Sequence, residues 1–384
     1  MIEKKYDNAM ARQAHITPDF VRQMVERLDE SVMMNALPIK ELYDAQKIVI
    51  TGCGDSWLAG VATKPVFENV AFMDTEVWRC VEFSRFFGKK ALGYSPNTPL
   101  VVGISISGQV SRVIESLRRA NEAGANTLAI TGSVDTPLAK EAKHVIPLNL
   151  PEGEYMPGLN SYVASMIALT LLAIRFAEAK DFISQDQKKE MIDALVDYAA
   201  SYKALLPEMD ERAFEIAKQW KDLRAVDFIG DYADYATAFF GSAKVIECYG
   251  GHTTYDDSED WCHINYFLRD PQTLGRVMVT NEESPSFDRT LETLEAIRKL
   301  ESPCMVVTDA DKSVFPASFE VFTTPKPKYF WMAPLMQHLP FDFVAGYIGA
   351  LMGVAGFRED DPKWTELPFK HRKGRLKESE IVII

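Results

Sequence analysis

At 384 residues, with 47% hydrophobic and 25% charged residues, the chain has room for two domains with full cores and the composition of an ordinary globular protein. A formal net charge of −13 argues against nucleic acid or an anionic membrane as partner, so any bound anion must be held by local dipoles and donors. The five cysteines form no C-x-x-C pair and suit reduced thiols in a cytosolic protein. The opening stretch, Met1 to Asp7, is charged and lacks an apolar signal core, and no uninterrupted apolar run approaches the ~18 residues of a membrane helix.

Residues 1–45 read as a helical, peripheral segment, in which Thr17-Pro18 opens a helix carrying Phe20, Val21, Met24, Val25 and Leu28. From Lys47 strands and helices alternate. Ile48, Val49 and Ile50 form a strand buried on both faces, then Gly52-Cys53-Gly54-Asp55-Ser56 turns into a helix that Pro65 should shorten or kink. Two glycines permit a tight turn and close approach by a ligand, while the new helix aims free N–H groups at the loop. A plain strand–helix turn explains the same residues, because the G-x-G-x-x-G pattern is absent.

Strands at Thr75–Val81 and Leu100–Ile104 follow. The latter ends in Ser105-Ile106-Ser107-Gly108-Gln109-Val110-Ser111, then Val113, Ile114 and Leu117 recur at helical spacing, with Gly124 as C-cap. Serines at a strand's carboxyl end can cap a helix or cradle a phosphate. Two such loops in one βαβ unit favour a phosphate-bearing ligand. Strands at Thr127–Thr131 and Val145–Leu148 complete the set, followed by a Pro/Gly loop at Pro151–Asn160, a long helix at Ser161–Ala179 and a helical linker to Pro207.

The second half repeats the plan roughly 175 residues later, which suggests a duplicated domain. Strands are expected at Val226–Gly230, Arg276–Thr280, Cys304–Thr308 and Phe319–Thr323, with helices to Cys248, over Phe287–Leu300 and over Pro334–Leu351. Here Thr280-Asn281-Glu282-Glu283-Ser284 is acidic where the first half has serines. Lys244 and Glu247 share a helix; a solvated Glu is the bland reading of the second. Asp256 to His263 is an acidic run ending in histidine, open to three readings: a solvated loop, a divalent-metal site, or a sugar site with a His acid/base. A metal is disfavoured because the carboxylates share one loop without a His-x-x-x-His. The basic tail around Lys370-His371-Arg372-Lys373 either folds over an anionic site or is a solvated terminus.

Taken together, Gly52 to Ser56, Ser105-Ile106-Ser107-Gly108, Lys244-x-x-Glu247 and the downstream His263 resemble the double SIS (sugar isomerase) domain proteins over about residues 20–365. The likeness is to the isomerase half of glucosamine-6-phosphate synthase and to glutaminase-free amino-sugar-phosphate isomerases, deaminases and deglycases. It implies an α/β fold of two tandem doubly wound, flavodoxin-like parallel sheets with flanking helices. The expected domains are an N-terminal segment at 1–45, a phosphate-binding domain at 46–180, a helical linker at 181–207, a second domain at 208–355 and a tail over the active site at 356–384.

The resemblance places Cys53, Gly54, Asp55, Ser56, Ser105, Ile106, Ser107, Gly108, Gln109, Ser111 and Lys370 on the phosphosugar. Glu247 becomes the proton-transferring base with Lys244 its neighbour, and His263 a ring-opening group delivered across a homodimer. No metal, organic cofactor or glutamine hydrolysis is implied, and the partner is a phosphorylated sugar rather than nucleic acid or membrane. A non-catalytic sugar-phosphate-binding regulator is the alternative. Departures from the family pattern are Asp55 and Val110 where it has Thr, Phe240 where it has a carboxylate, and Leu367 at the place of its C-terminal lysine.

Overall fold

The computed structural model describes residues 6–88, 92, 99–154, 156–365 and 379–383. It divides into two compact units, each built from separated stretches of chain. One comprises Phe20–Gly153, Asn160–Val196 and Lys363–Ile384; the other comprises Met1–Asp19, Glu154–Leu159 and Asp197–Pro362. The expected domains were consecutive blocks, whereas the units interleave.

In the first unit, β1 (Lys47–Gly52), β2 (Asp74–Arg79), β3 (Leu100–Ser105), β4 (Asn126–Thr131) and β5 (His144–Pro147) make a wholly parallel sheet. Their order is β2-β1-β3-β4-β5. Ile48, Val49 and Ile50 are fully buried, as a central strand covered on both faces requires. Side-chain alternation splits β1 between two layers. Ile50 faces the helix Asp55–Asn69, where a Cβ on Gly60 would come within 2.8 Å of its methyl group. Val49 faces the other way, into a cluster with Val101, Val113 and Leu117 under the helix Ser111–Glu122. Burying each such side chain contributes roughly 1.5–3 kcal/mol.

The second unit holds β6 (Ala225–Gly230), β7 (Thr253–Asp256), β8 (Leu274–Thr280), β9 (Cys304–Thr308) and β10 (Glu320–Thr323), again parallel. Read from β7, its order β7-β6-β8-β9-β10 is the 2-1-3-4-5 arrangement of the first sheet. Asp227 on β6 stands in register with Arg276 on β8, and their side chains form a buried ion pair. Burial raises the Asp227 carboxyl and lowers the Arg276 guanidinium pKa, so desolvation outweighs the attraction for both partners. Asp227 also accepts from Trp261 Nε1 at 2.7 Å and Asn265 Nδ2 at 3.2 Å, tying down the segment on either side of His263.

Prolines mislead the sequence reading at three places. The helix expected to open at Thr17-Pro18 runs from Ala9 to Arg27 with Pro18 inside, and Asn8 starts it by accepting from the Ala11 N–H at 3.0 Å. Nor is this helix peripheral: Phe20, Val21, Met24 and Leu28 are buried. Pro65 does not end its helix, which continues to Asn69 with Pro65, Val66 and Phe67 all buried. Pro207 opens the helix Leu206–Trp220 rather than closing the linker. Packing of an apolar face outweighs one lost hydrogen bond in the first two, and the third uses the first-turn position where no N–H is missed.

Two further elements replace the expected acidic loop. Thr253–Asp256 pairs with β6, and Ser258–His263 is a helix whose cap, Asp257, accepts from the N–H groups of Glu259 and Asp260. Finally, Leu159–Ala179 is long and apolar enough to span a membrane by length and composition, contrary to expectation, because Arg175 interrupts the apolar run without lowering the helix average below that mark. With 89% of its most apolar window buried, it is a core helix of this fold.

Candidate functional site

The helices leaving β1 and β3 lie on opposite faces of the first sheet, so the carboxyl ends of these neighbouring strands border a crevice where doubly wound sheets collect ligands. The first loop is shaped by its glycines. A Cβ on Gly52 would come within 2.9 Å of the Ser56 and Trp57 backbone, and Gly54 takes φ +56°, ψ −130°. No side chain caps the helix Asp55–Asn69, so its N-terminal dipole faces the loop. Cys53 and Gly54 are exposed, Asp55 and Ser56 half-buried.

Ser105 ends β3 buried, its carbonyl accepting from Gly108 N–H at 3.0 Å. Gly108 has φ +61°, and a Cβ there would sit 2.3 Å from Thr136 Cβ. Ser107 and Gln109 are exposed, Ile106 half-buried. The following helix, Ser111–Glu122, likewise lacks a side-chain cap. Ser111 is placed differently from the other serines: its Oγ accepts from the Ser379 N–H at 2.8 Å. Sequence reading missed Arg79, the register partner of Gly52, whose guanidinium lies over the Trp57 ring at 4.3 Å and brings a cation to this loop. Aligning Thr75–Val81 beside Lys47–Gly52 was the signal that could have found it. A cavity of about 1120 Å³ in this unit lies elsewhere, among Leu28, Met33, Leu171 and Arg175, and none of the loop residues lines it.

In the second unit the helix Ala233–Tyr249 carries Lys244 and Glu247 one turn apart, with Lys244 Nζ 2.5 Å from Glu247 Oε2. Lys244 is wholly buried; Glu247 keeps 32% of its side chain exposed. Gly250, left-handed at φ +71°, closes the helix beyond them. Phe240, where the family pattern has a carboxylate, puts its ring 4.5 Å from the Lys244 ammonium, so a π face stands in for the missing charge. The His338 ring, buried and paired with Asp342, meets that ring edge-on at 5.3 Å between centroids. An ionised carboxylate held by an ammonium and still open to solvent can exchange a proton with a bound molecule.

His263 ends its short helix 69% exposed, with Nε2 2.9 Å from Glu259 Oε1. That bond, above all, holds the Glu259 carboxyl below its usual range. Asp256, Asp257 and Asp260 bring one oxygen each within 4.8 Å of one another and are the described residues that could share a cation, although Asp257 is already occupied as a helix cap. Lys370 and Leu367 lie outside the described residues.

At the sheet edge of this unit, in place of serines, stands a buried carboxylate. Asp234 accepts from Asn281 Nδ2 at 2.9 Å on each oxygen, and Gln337 holds Asn281 in turn at 2.9 Å. Burial pushes the Asp234 pKa from 3.8 to about 7. The folded state therefore holds this proton more tightly than the unfolded chain, and stability falls as pH rises from about 4 through about 7. Asp234→Asn removes that loss. Thermal melts should show the variant gaining on the parent between pH 5 and pH 8, by on the order of 2–4 kcal/mol; parallel curves would exclude a titrating Asp234.

Against known proteins, the family model described as SIS domain matches residues 41–175, which span β1 to β5 and both serine-bearing loops. Residues 41–175 form a SIS domain. Beyond the SIS domain, the glutamine–fructose-6-phosphate aminotransferase (isomerizing) of Clostridium tetani is 24% identical over 354 residues, covering 91% of this chain and 57% of the relative. The Thermotoga maritima protein of the same name is 25% identical, covering 82% and 50%. The chain thus spans about half the length of these curated relatives. Among solved structures, the C-terminal domain of glucosamine-fructose-6-phosphate aminotransferase from Francisella tularensis superposes with a TM-score of 0.78 at 18% identity, over 90% of this chain and 97% of that one. Tagatose-6-phosphate ketose/aldose isomerase from Escherichia coli gives 0.71 at 14%, over 92% and 97%. The α/β fold is shared with both.

Proposed function

We propose that the chain is a phosphosugar isomerase-type enzyme with two SIS domains, acting on a 6-phosphorylated amino or N-substituted sugar. The carrying observation is the pair of helix N-termini left without side-chain caps at the β1/β3 crevice of the SIS domain. Ser56, Ser105 and Ser107, with backbone N–H groups near Gly108 and Gln109, take the phosphate, and binding there anchors the open-chain carbon skeleton. Relatives named for fructose-6-phosphate and tagatose-6-phosphate chemistry support that substrate class.

In this reading Glu247 removes a proton from C2 or C1 and returns it to the neighbouring carbon, through an enediol or enolamine, while Lys244 keeps the carboxylate oriented. The 69% exposure of His263 suits a ring-opening role toward a second copy of the chain in a homodimer. Loss of the C1 or C2 amine with water would make the same chemistry a deaminase or deglycase. Amino transfer from glutamine is not carried over, because just over half of the relative's length is represented here.

Incubation in heavy water with glucosamine-, fructose- and fructosamine-type 6-phosphates, read by NMR, tests the proposal. Deuterium at C1 or C2 is expected, and release of an amine would separate deamination and deglycation from isomerisation. Binding without exchange would replace the enzyme with a sugar-phosphate-binding regulator, and absence of binding would remove the phosphate site altogether.

A further inference from the structure

The cysteine in the first glycine loop has a partner. Gly52, the last residue of β1, is in register with Arg79, the last residue of β2. One step on, Cys53 and Cys80 are the residues that follow these two paired strand ends. Neighbouring parallel strands lie about 4.8 Å apart, inside the ~4.4–6.8 Å separation that a disulfide bridges. Side chains at matched positions of parallel strands point to the same face. Arg79 stacks on Trp57 beside the helix Asp55–Asn69, and the next residue, Cys80, turns to the opposite face. Cys80 is indeed part of the cluster there, with Val49, Phe83 and Val101.

A hydrogen bond to Cys53 is the leading reason that the Cys80 thiol is shifted upward, followed by burial. The two sulfurs differ in access: Cys53 is exposed and Cys80 is buried. The flanking Gly52 and Gly54 give Cys53 the backbone freedom that closing a bond requires. Two of the other thiols are differently engaged. Cys262 faces Thr293 Oγ1 at 3.5 Å, and Cys304 faces the Met305 carbonyl at 3.9 Å.

We propose that Cys53 and Cys80 form a reversible disulfide, with Cys53 the peroxide-reactive thiol and Cys80 the resolving one. Hydrogen peroxide oxidises the Cys53 thiolate to a sulfenic acid and leaves as hydroxide. The Cys80 sulfur then attacks the Cys53 sulfur, the S–O bond breaks, and the departing hydroxide takes the Cys80 proton as water. In balance, two thiols and one peroxide give one disulfide and two waters. The bond would pin the loop Gly52–Ser56 to the start of the helix Cys80–Phe86. This inference goes beyond the proposed function and does not depend on what the loop binds.

The test uses the native chain. After peroxide treatment, the protein is denatured and alkylated with N-ethylmaleimide, and intact mass counts the adducts. Five are expected for the reduced chain with its five thiols, three after oxidation, and five again after dithiothreitol. Proteolytic peptides should show Cys53 joined to Cys80. Cys80→Ser should lose the cross-link and carry Cys53 onward to sulfinic acid. A native chain ending with sulfinic Cys53 beside free Cys80, five alkylated thiols after peroxide, or a bridge to Cys248, Cys262 or Cys304 would each overturn the proposal.

Discussion

Glu247→Gln is expected to lower turnover of the 6-phosphosugar substrate by about 10²–10⁴-fold, the range for removing a positioned general base. The amide keeps the size of the carboxylate and can still accept from Lys244 Nζ, which lies 2.5 Å from Glu247 Oε2. What is lost is the ability to take a proton. Lys244 is wholly buried, and the Phe240 ring at 4.5 Å continues to neutralise part of its charge, so the variant should stay folded with a modestly lower melting temperature. In the proposed reading the serine-bearing loops hold the phosphate, so phosphosugar affinity by calorimetry should change less than threefold. Low kcat with preserved Kd is thus the expected signature. Turnover within threefold of the parent would move the chemistry to another group; a parallel collapse of Kd would make Glu247 a binding residue.

Asp227→Ala should be the most damaging single change to stability, costing about 3–5 kcal/mol, because it strands a buried guanidinium. Arg276 is fully buried with Asp227 as its ion-pair partner, and its Nε and Nη2 are already without hydrogen bonds. Trp261 and Asn265 would lose acceptors in the same step. Burial opposes the charge on both partners, which predicts asymmetry between single and double replacement. Asp227→Val combined with Arg276→Met should recover most of the loss, and chemical denaturation of the four species gives the coupling directly. Additive losses would mean that the pair is not the unit that matters. In the double variant the anchor beneath His263 is still missing, so activity should recover less than stability.

The sheet cores were legible in the sequence because central parallel strands announce themselves as runs such as Ile48-Val49-Ile50, and the glycine turns mark where they end. Thr253–Asp256 was not, being four residues long and half-buried at a sheet edge, with little periodicity to read. Pro18 and Pro65 were misread since their helices draw stability from buried faces that only tertiary packing supplies. Glu247 and His263 emerged from family spacing; by composition alone each was an ordinary surface residue. The Asp227–Arg276 pair and the facing of Cys53 with Cys80 depend on strand register, which no local pattern records. Arg79 escaped for the same reason.

One unit of this protein is stitched shut from a distance. Glu115, with no exposed side chain, pairs with Arg85 and Arg112 and also accepts the Val382 N–H at 2.9 Å, while Ile381 packs on the cluster beside it. Residues 20–153 therefore cannot complete their packing until residues 379–383 have been synthesised, with nearly the whole of the other unit made in between. Translation imposes an order on assembly: the sheet made first waits, its Glu115 site open to water, for the last stretch to arrive. A chain truncated after residue 180 would hold that waiting state permanently, so the boundary that looks natural along the sequence is a poor place to divide the molecule.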